Sequence, residues 1–189
     1  MWFVCGLGNP GKKYKNTRHN IGFDILDQLV HQYDLEIFKK DKTKELFKGK
    51  IDNKKVTLCK TLSYMNCSGE VIKDIIKFYK IPITKILIIH DDIDLKLGKI
   101  KIKIGGSNGG HNGLLNIDNN IGKEYKRLRI GVGHPGEKNQ VNSYVLEKFN
   151  KDEEKIIENL ITFISSEFSL VFEKENNFLT KLSLINKKT

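Results

Sequence analysis

The strongest constraint on the fold is the run Ile86-Leu87-Ile88-Ile89, which is apolar at every position and stops at His90-Asp91-Asp92. A strand that is apolar on both faces needs cover on both, which is typical of a central strand in an α/β sheet. The polar residues after it lie where open α/β sheets place their sites, at the carboxyl ends of strands. We therefore predict one three-layer α/β domain over residues 1–189, with a sheet flanked by helices.

The remaining elements are predicted from the spacing of apolar residues. Strand patterns occur at residues 1–5, 46–51, 56–60, 99–104 and 128–133, the second and third forming a hairpin. Helical spacing occurs at residues 20–33, 71–79, 114–121, from 151 onward and at 178–185. Asn150 is a suitable N-cap. In the strand at 99–104 we expect Ile100, Ile102 and Ile104 to face inward, and the charged stretch Lys39–Lys44 is predicted to be a linker.

The net charge of +10 indicates a polyanionic partner, most simply a nucleic acid. A compositional bias toward lysine would give the same charge, and composition alone does not separate the two interpretations. Lysines far outnumber arginines, which argues against base-specific readout.

The three cysteines, Cys5, Cys59 and Cys67, are an odd number without a Cys-x-x-Cys spacing. This favours a reducing compartment and argues against a disulfide framework or a structural zinc site. The apolar start of the chain is short and lacks basic residues before it, so it is not predicted to be a signal peptide. No apolar run approaches the roughly 20 residues that span a membrane. We expect a cytoplasmic protein without membrane contact.

A long polar loop follows the first strand and carries Gly6-x-Gly8-x-x-Gly11, a spacing shared with dinucleotide-binding loops. In that class the helix begins at the glycines, so that its N-terminus faces the pyrophosphate. Here residues 12–19 intervene before any helical spacing, Pro10 stiffens the loop, and a hairpin stands where a second parallel strand is needed. We therefore predict no nucleotide cofactor and interpret the loop as part of a hydrolytic site.

Four of the five histidines, His19, His90, His111 and His134, fall in or beside loops at predicted strand ends. Singly, such a histidine is most often a hydrogen-bonded loop residue. Jointly, they indicate a site at the carboxyl edge of the sheet. His19 and Asp91 form a natural pair, in which the carboxylate orients the imidazole and stabilises the imidazolium formed when His19 accepts a proton.

Metal chemistry and nucleophilic catalysis are less well supported. The segment His90–Asp94 is rich in potential ligand atoms, but its spacing matches no known metal motif, and a solvated acidic turn is the alternative. We favour metal-independent chemistry. Asn9, Asn66 and Asn112 lie in polar loops, where asparagine is most often a turn former. Converging amides would instead position a water and stabilise an oxyanion. Because the chain has no Gly-x-Ser-x-Gly elbow, water is the expected attacking group.

Five longer motifs occur in a fixed order: Gly6-Leu7-Gly8-Asn9-Pro10-Gly11 on to Thr17-Arg18-His19-Asn20, then Tyr64-Met65-Asn66-x-Ser68-Gly69, His90-Asp91-Asp92, Gly109-Gly110-His111-Asn112-Gly113 and residues 127–136. Together they resemble the bacterial-type peptidyl-tRNA hydrolase family over nearly the whole chain. The chain departs from the family's pattern at Thr61 and Lys96, where proline is frequent, and at Ser107-Asn108 in the glycine-rich loop.

The resemblance implies a twisted mixed, mainly parallel sheet in a monomer that uses neither metal nor cofactor. It implies an esterase that cuts the bond between a peptide's C-terminal carboxyl group and the ribose at the tRNA 3′ end, recycling tRNA dropped by the ribosome. His19 would activate water with Asp91 as its partner. The residues implied in substrate binding are Asn9, Tyr14, Met65, Asn66, His111 and Asn112. Of these, the asparagines would bind the peptide backbone, the scissile carbonyl and the water, Met65 would line the peptide groove, and Tyr14 would contact the ribose or the terminal nucleotides.

Such a substrate explains the residue types in the loops. Peptide side chains vary, so recognition should use the backbone, for which asparagine amides are suited as both donors and acceptors. The tRNA is expected to be bound through phosphates, for which lysine suffices. The candidates for tRNA binding are Lys101, Lys103, Arg129 and Lys138. Solvated surface charge is the alternative for each lysine, and a structural ion pair for Arg129. A non-catalytic RNA-binding protein would need the basic surface but not His19 with Asp91.

Overall fold

A computed structural model describes residues 1–185, so that Lys187 and Lys188 lie outside the described residues. The strands are β1 (Trp2–Gly6), β2 (Glu36–Lys40), β3 (Lys44–Ile51), β4 (Lys54–Thr61), β5 (Ile86–Asp92), β6 (Ile100–Ile104) and β7 (Lys126–Gly131). The α-helices are α1 (Ile21–Gln32), α2 (Ser68–Phe78), α3 (Asn112–Ile121), α4 (Val141–Val145), α5 (Lys151–Ser166), α6 (Phe168–Glu173) and α7 (Glu175–Ile185). Across these described residues, no helix is both long and apolar enough to cross a lipid bilayer.

The strands form one mixed sheet in the order β2-β3-β4-β1-β5-β7-β6. The four central strands β4, β1, β5 and β7 pair in parallel, whereas β2, β3 and β6 join by antiparallel pairing at the two edges. The predicted α/β class is confirmed. The mainly parallel arrangement holds for the centre of the sheet. Over the whole sheet, three strand pairs are parallel and three are antiparallel.

The core consists of two apolar clusters, one on each face of the sheet. Helices α1, α5, α6 and α7 cover one face, and α2 and α3 cover the other. β5 contributes to both clusters, because Leu87 and Ile89 face the first and Ile86 and Ile88 face the second. Full burial of each such side chain contributes about 1.5–3 kcal/mol to folding. The three layers and the central position of this strand are as predicted.

Two predictions at the sheet edges are wrong. Lys39 and Lys40 are not in a linker but end the edge strand β2, which is held by backbone pairing to β3 and carries mostly exposed side chains. Ile104 is not buried as expected: it lies on the same side of the sheet as Ile100 but is 56% exposed at the end of the opposite edge strand. The helices α4 and α6 were not predicted, since five or six residues are too few to show a helical repeat.

α1 begins in direct contact with the sheet because Gly22 has no side chain. A Cβ at Gly22 would stand 2.5 Å from the backbone nitrogen of Leu7 and 2.6 Å from the backbone oxygen of Ile89. These two atoms form the 2.9 Å hydrogen bond that continues the pairing of β1 with β5. The residues immediately before α1 are thereby brought to the carboxyl ends of both strands.

Gly22→Ala is expected to destabilise the protein although alanine is the better helix former. Helix propensity alone would add about 1 kcal/mol of stability. Overlap with the sheet backbone costs about 1–3 kcal/mol or more, so the net effect is a loss. Urea unfolding measures this, with Asn119→Ala at an exposed position of α3 as the control in which propensity acts alone. A Gly22→Ala midpoint at or above that of the wild type would contradict the close contact.

Candidate active site

His19 lies in a 3₁₀ turn, Arg18–Asn20, that leads directly into α1. The side chain of Asn20 holds the preceding loop in place. Its Oδ1 accepts from the backbone N–H of Asn9 at 2.8 Å, and its Nδ2 donates to the Asn9 carbonyl at 2.9 Å. Because this amide replaces a backbone partner at both groups, the loop and the turn stay together. His19 and Asn9 are thereby brought together near the carboxyl end of β1.

Asp91, near the end of β5, pairs with His19 as predicted. The Nδ1 of His19 lies 2.9 Å from each carboxylate oxygen of Asp91, and both side chains are buried. Since Nδ1–H donates to the carboxylate, Nε2 is the nitrogen that keeps a lone pair. No hydrogen bond to that Nε2 forms within residues 1–185, and His19 lines an open cleft. The pair therefore presents one basic nitrogen to the cleft.

The two groups shift each other's ionisation in the direction that a base and its partner need. Burial disfavours the imidazolium, but the charge and hydrogen bond of Asp91 outweigh it and raise the pKa of His19 above its ordinary value. Burial would also raise the pKa of Asp91, but the imidazoles of His19 and His111 hold it well below its usual range. Asp91 therefore stays ionised across the pH range in which His19 titrates.

His111 is a second imidazole on Asp91, and the backbone determines its tautomer. Its Nδ1 accepts from the N–H groups of Gly113 and Leu114 at 3.1 and 3.3 Å, which caps the N-terminus of α3. The ring proton is then on Nε2, which donates to Asp91 Oδ1 at 3.1 Å. Both nitrogens are used within the protein. These contacts hold Asp91, and His111 also lines the cleft, so the substrate-binding role that the resemblance implied stays a prediction.

The same tautomer bears on metal binding. His19, Asp91 and His111 place one potential ligand atom each within 4.8 Å of one another. A metal needs a lone pair on each imidazole nitrogen that binds it. The Nε2 of His111 carries its proton, and moving that proton to Nδ1 would set it against two backbone N–H donors. The donor set therefore fits a hydrogen-bonded trio better than a metal centre, in agreement with the predicted metal-independent chemistry.

His90 forms part of the buried floor of the site as a neutral ring. Its Nδ1 donates to the backbone oxygen of Asp91 at 2.7 Å, and it packs edge-on against His111 with ring centroids 5.3 Å apart. Burial, reinforced by His111, lowers the pKa of His90 to about 3. It therefore does not compete with His19 as a base. His134 is exposed, and its Nδ1 accepts from Gly136 N–H in a turn.

The three asparagines differ in how firmly they are held. Asn9 is buried, and its Oδ1 accepts from the Met65 N–H at 2.9 Å, so its Nδ2 is the group left to donate to a ligand. Asn66 lies in the 3₁₀ turn Met65–Cys67 before α2, and Asn112 is the first residue of α3. Both are exposed. α3 packs against that turn, and Asn112 lines the cleft into which His19 faces.

Met65 and Tyr14 have different surroundings. Met65 is buried, and its Sδ lies 2.6 Å from where a Cβ on Gly113 would stand, so it packs beneath the start of α3. Its side chain therefore supports the N-terminal end of α3. Tyr14 is half-buried in the loop after β1, with the Lys13 ammonium 4.7 Å from its ring centroid. Its aromatic face is thus already next to a cation that can pair with phosphate.

The predicted tRNA-binding residues lie on two neighbouring strands and one loop. Lys101 and Lys103 are exposed on β6, and Lys101 stands opposite Arg129 on β7. Lys103 and Arg129 line the cleft. Arg129 also donates from Nε to Asp92 at 2.6 Å, so its ion-pair role is real. Lys138 is exposed in the turn Lys138–Gln140, on another loop.

A cleft of about 240 Å³ is lined by His19, Asp91, His111 and Asn112 together with Lys103 and Arg129, and sequence reasoning missed two features of it. One is the wall formed by α4, through Val141 and Val145, because a five-residue helix shows no helical repeat in its sequence. The other is the role of Arg127, which holds the glycine-rich loop by donating to the Ser107 carbonyl and to the Asp118 carboxylate, each at 2.9 Å. The sequence did contain an indication of this role, because an arginine such as Arg127 on a buried strand needs partners for its charge.

A buried imidazole–carboxylate pair faces a cleft at the carboxyl edge of the parallel centre of the sheet, which is where open α/β sheets bind their ligands. The chain belongs to the peptidyl-tRNA hydrolase family, whose model matches residues 3–189.

Individual relatives agree with this assignment over most of the chain. The peptidyl-tRNA hydrolase of Rickettsia bellii (strain RML369-C) is 46% identical over 184 residues, which covers 96% of this chain and 100% of that protein. That of Clostridium tetani is 47% identical over 166 residues, 87% of each chain. The crystal structure of the Acinetobacter baumannii enzyme matches with a TM-score of 0.89 at 37% identity, covering 96% of this chain and 94% of that one.

Asp91→Asn is expected to lower the pKa of His19. The amide can still accept from Nδ1–H, but the negative charge that favours the imidazolium is lost while burial remains. NMR titration of the imidazole signals measures the shift. Asp94→Asn, an exposed carboxylate in the same connection, is the matched control and should leave the His19 titration unchanged. Equal titration of His19 in Asp91→Asn and in wild type would show that the pair is not electrostatically coupled.

Proposed function

We propose that this chain hydrolyses the ester bond between the peptide carboxyl group and the 3′ ribose of peptidyl-tRNA, with His19 activating water and Asp91 as its partner. The observation that carries the proposal is the geometry of this pair: Nδ1 is occupied by Asp91, and Nε2 is left to the cleft. Family membership supplies the substrate.

The reaction follows from the charges of the site. His19 Nε2 accepts a proton from a water, whose oxygen attacks the ester carbonyl carbon, and Asp91 stabilises the resulting imidazolium. The carbonyl electrons move to the oxygen, and the Asn9 Nδ2–H is the donor proposed to stabilise that oxyanion, since the Oδ1 of the same amide already accepts from Met65 N–H. Collapse breaks the bond to the ribose oxygen, which takes the proton back from His19. The products are a free peptide carboxylic acid and a tRNA with a free ribose hydroxyl group.

The remaining residues divide between the two ends of the substrate. Asn66 and Asn112 are both exposed and Asn112 lines the cleft, which suits them to bind the peptide backbone and the attacking water. Lys103 is the first candidate for a tRNA phosphate because it lines the cleft and forms no salt bridge with any of residues 1–185. Lys101 and Lys138 extend the basic surface, and Arg129 shares its charge with Asp92. Tyr14 beside Lys13 is suited to the terminal nucleotides.

The wider setting follows from the substrate. The chain would recycle tRNA from translation products that leave the ribosome early, acting in the cytoplasm as a monomeric single domain over residues 1–189. The continuous sheet and the family match over residues 3–189 support the single domain. The chemistry proposed for His19 and Asp91 requires no metal or cofactor.

His19→Ala is expected to lower the rate of tRNA release from purified peptidyl-tRNA by at least ~10²-fold, the usual contribution of a general base. Binding of tRNA should persist, because the imidazole does not contact phosphates. Release is measured with and without EDTA, and binding by filter retention. Loss of binding equal to the loss of rate would show that His19 is structural. Activity abolished by EDTA and restored by a divalent ion would overturn the metal-free mechanism.

Lys103→Gln is expected to weaken tRNA binding and to make it less dependent on salt. Each lost phosphate contact reduces the slope of log K against log salt by about 0.7–0.9. The matched control is Lys55→Gln, an exposed lysine at the start of β4 and therefore at the opposite end of the sheet from the site. An unchanged slope for Lys103→Gln would remove this lysine from the tRNA-binding surface.

A further inference from the structure

Arg18, the residue before His19, is buried although it is charged, with only 5% of its surface exposed. Its side chain makes a set of contacts with the segment that runs from α4 into α5. It donates to the carbonyls of Lys148 (2.6 Å) and Glu147 (3.4 Å) and to the carboxylate of Glu153 (2.7 Å), with its guanidinium 4.2 Å from the ring centroid of Tyr144 and 5.0 Å from that of Phe149.

The choice of arginine at this position is informative. The chain has 33 basic residues, of which only Arg18, Arg127 and Arg129 are arginines. A planar guanidinium donates in several fixed directions while it stacks on aromatic faces, which an ammonium group does not do. In a chain so rich in lysine, the use of arginine indicates that the planar guanidinium, with its several fixed donor directions, is needed at that position. Arg18 uses it on carbonyls, a carboxylate and two rings at once.

The contacts of Arg18 form one side of a clamp around His19. The backbone N–H of Arg18 donates to the Glu147 carbonyl at 3.0 Å, which adds a backbone link to the same segment. On the other side, Asn20 is fixed to both backbone groups of Asn9. Within residues 1–185, the imidazole of His19 forms hydrogen bonds to Asp91 and to no other acceptor. The distance between the imidazole and Asp91 is therefore determined by the anchors before and after it.

We propose that Arg18 is a positioning residue that acts through His19, and that it links the segment from Val141 to Glu153 to the reacting imidazole. This segment also borders the cleft through Val141 and Val145. The segment that would contact a substrate in the cleft is thus also the segment that holds His19 at its distance from Asp91. The inference rests on the proposed role of His19 as the base. A displacement of about 1 Å in such a group can cost on the order of 10²-fold in rate.

Arg18→Lys tests the proposal, because lysine keeps the charge beside Glu153 but loses the fork. We expect kcat to fall about 10–100-fold with KM changed by less than about threefold, since the loss concerns the reacting geometry and not substrate binding. The matched control is Lys126→Met. Lys126 is another buried cation that donates to backbone carbonyls, those of Val171 and Phe172, but it does not touch the turn around His19. It should lower stability and leave kcat unchanged.

A double-mutant cycle separates positioning from general destabilisation. In a His19→Ala background, Arg18→Lys should cause no further loss of rate, because the group through which it acts is gone. Multiplicative losses would overturn the proposal. In Arg18→Lys alone, NMR titration should show a lower His19 pKa than in wild type, since the imidazole has moved from Asp91. An unchanged titration together with an unchanged kcat would also overturn it.

A milder variant covers the case in which Arg18→Lys does not fold. Glu153→Gln leaves the carbonyl bonds of Arg18 in place and removes one charged partner, and a smaller fall in kcat in the same direction is expected. Unchanged kcat in this variant would contradict the link. Failure of the proposed function is distinct, because it would appear as wild-type protein that releases no tRNA. Active wild type with fully active Arg18 and Glu153 variants overturns only the inference about Arg18.

Discussion

The site depends on the hydrogen bonds that two imidazoles make to the buried carboxylate of Asp91. An ionised carboxylate is costly to bury unless hydrogen-bond donors compensate for the lost water. Here two imidazoles do so, His19 from the turn before α1 and His111 from the cap of α3. These helices lie on opposite faces of the sheet. The carboxylate at the end of β5 thus connects both helical layers, because each layer contributes one imidazole that donates to it.

The sheet provides the place for this charge. β5 is buried on both faces, so its carboxyl end emerges between the helical layers and not at an exposed edge. The absence of a side chain at Gly22 lets α1 lie directly on the backbone between β1 and β5. The turn that carries His19 is consequently held against the strand that carries Asp91. Chemistry at this edge therefore follows from packing in the core, since a helix seated further out would separate the pair.

Much of this was readable from the chain. The apolar run before Asp91, the polar loop before His19 and the N-cap Asn150 have local signatures, and the structure has them where they were predicted. The tautomer of His111 was not readable, because it depends on two backbone N–H groups whose direction exists only once α3 has formed. The edge strand β2 was missed for a related reason: backbone pairing with β3 holds it, and its side chains carry no pattern.

The sequence by itself determined the α/β class, the family motifs and the identity of the residues that meet at the site. These depend on local periodicity and on residue types at short spacings, which a single chain displays. Only the tertiary structure decided which nitrogen of His19 faces the cleft, what His111 holds and why Arg18 is an arginine. The contacts concerned join residues 72, 20 and 130 positions apart. Their geometry arises when packed layers bring distant segments within hydrogen-bonding distance, and nothing in the neighbouring sequence encodes that approach.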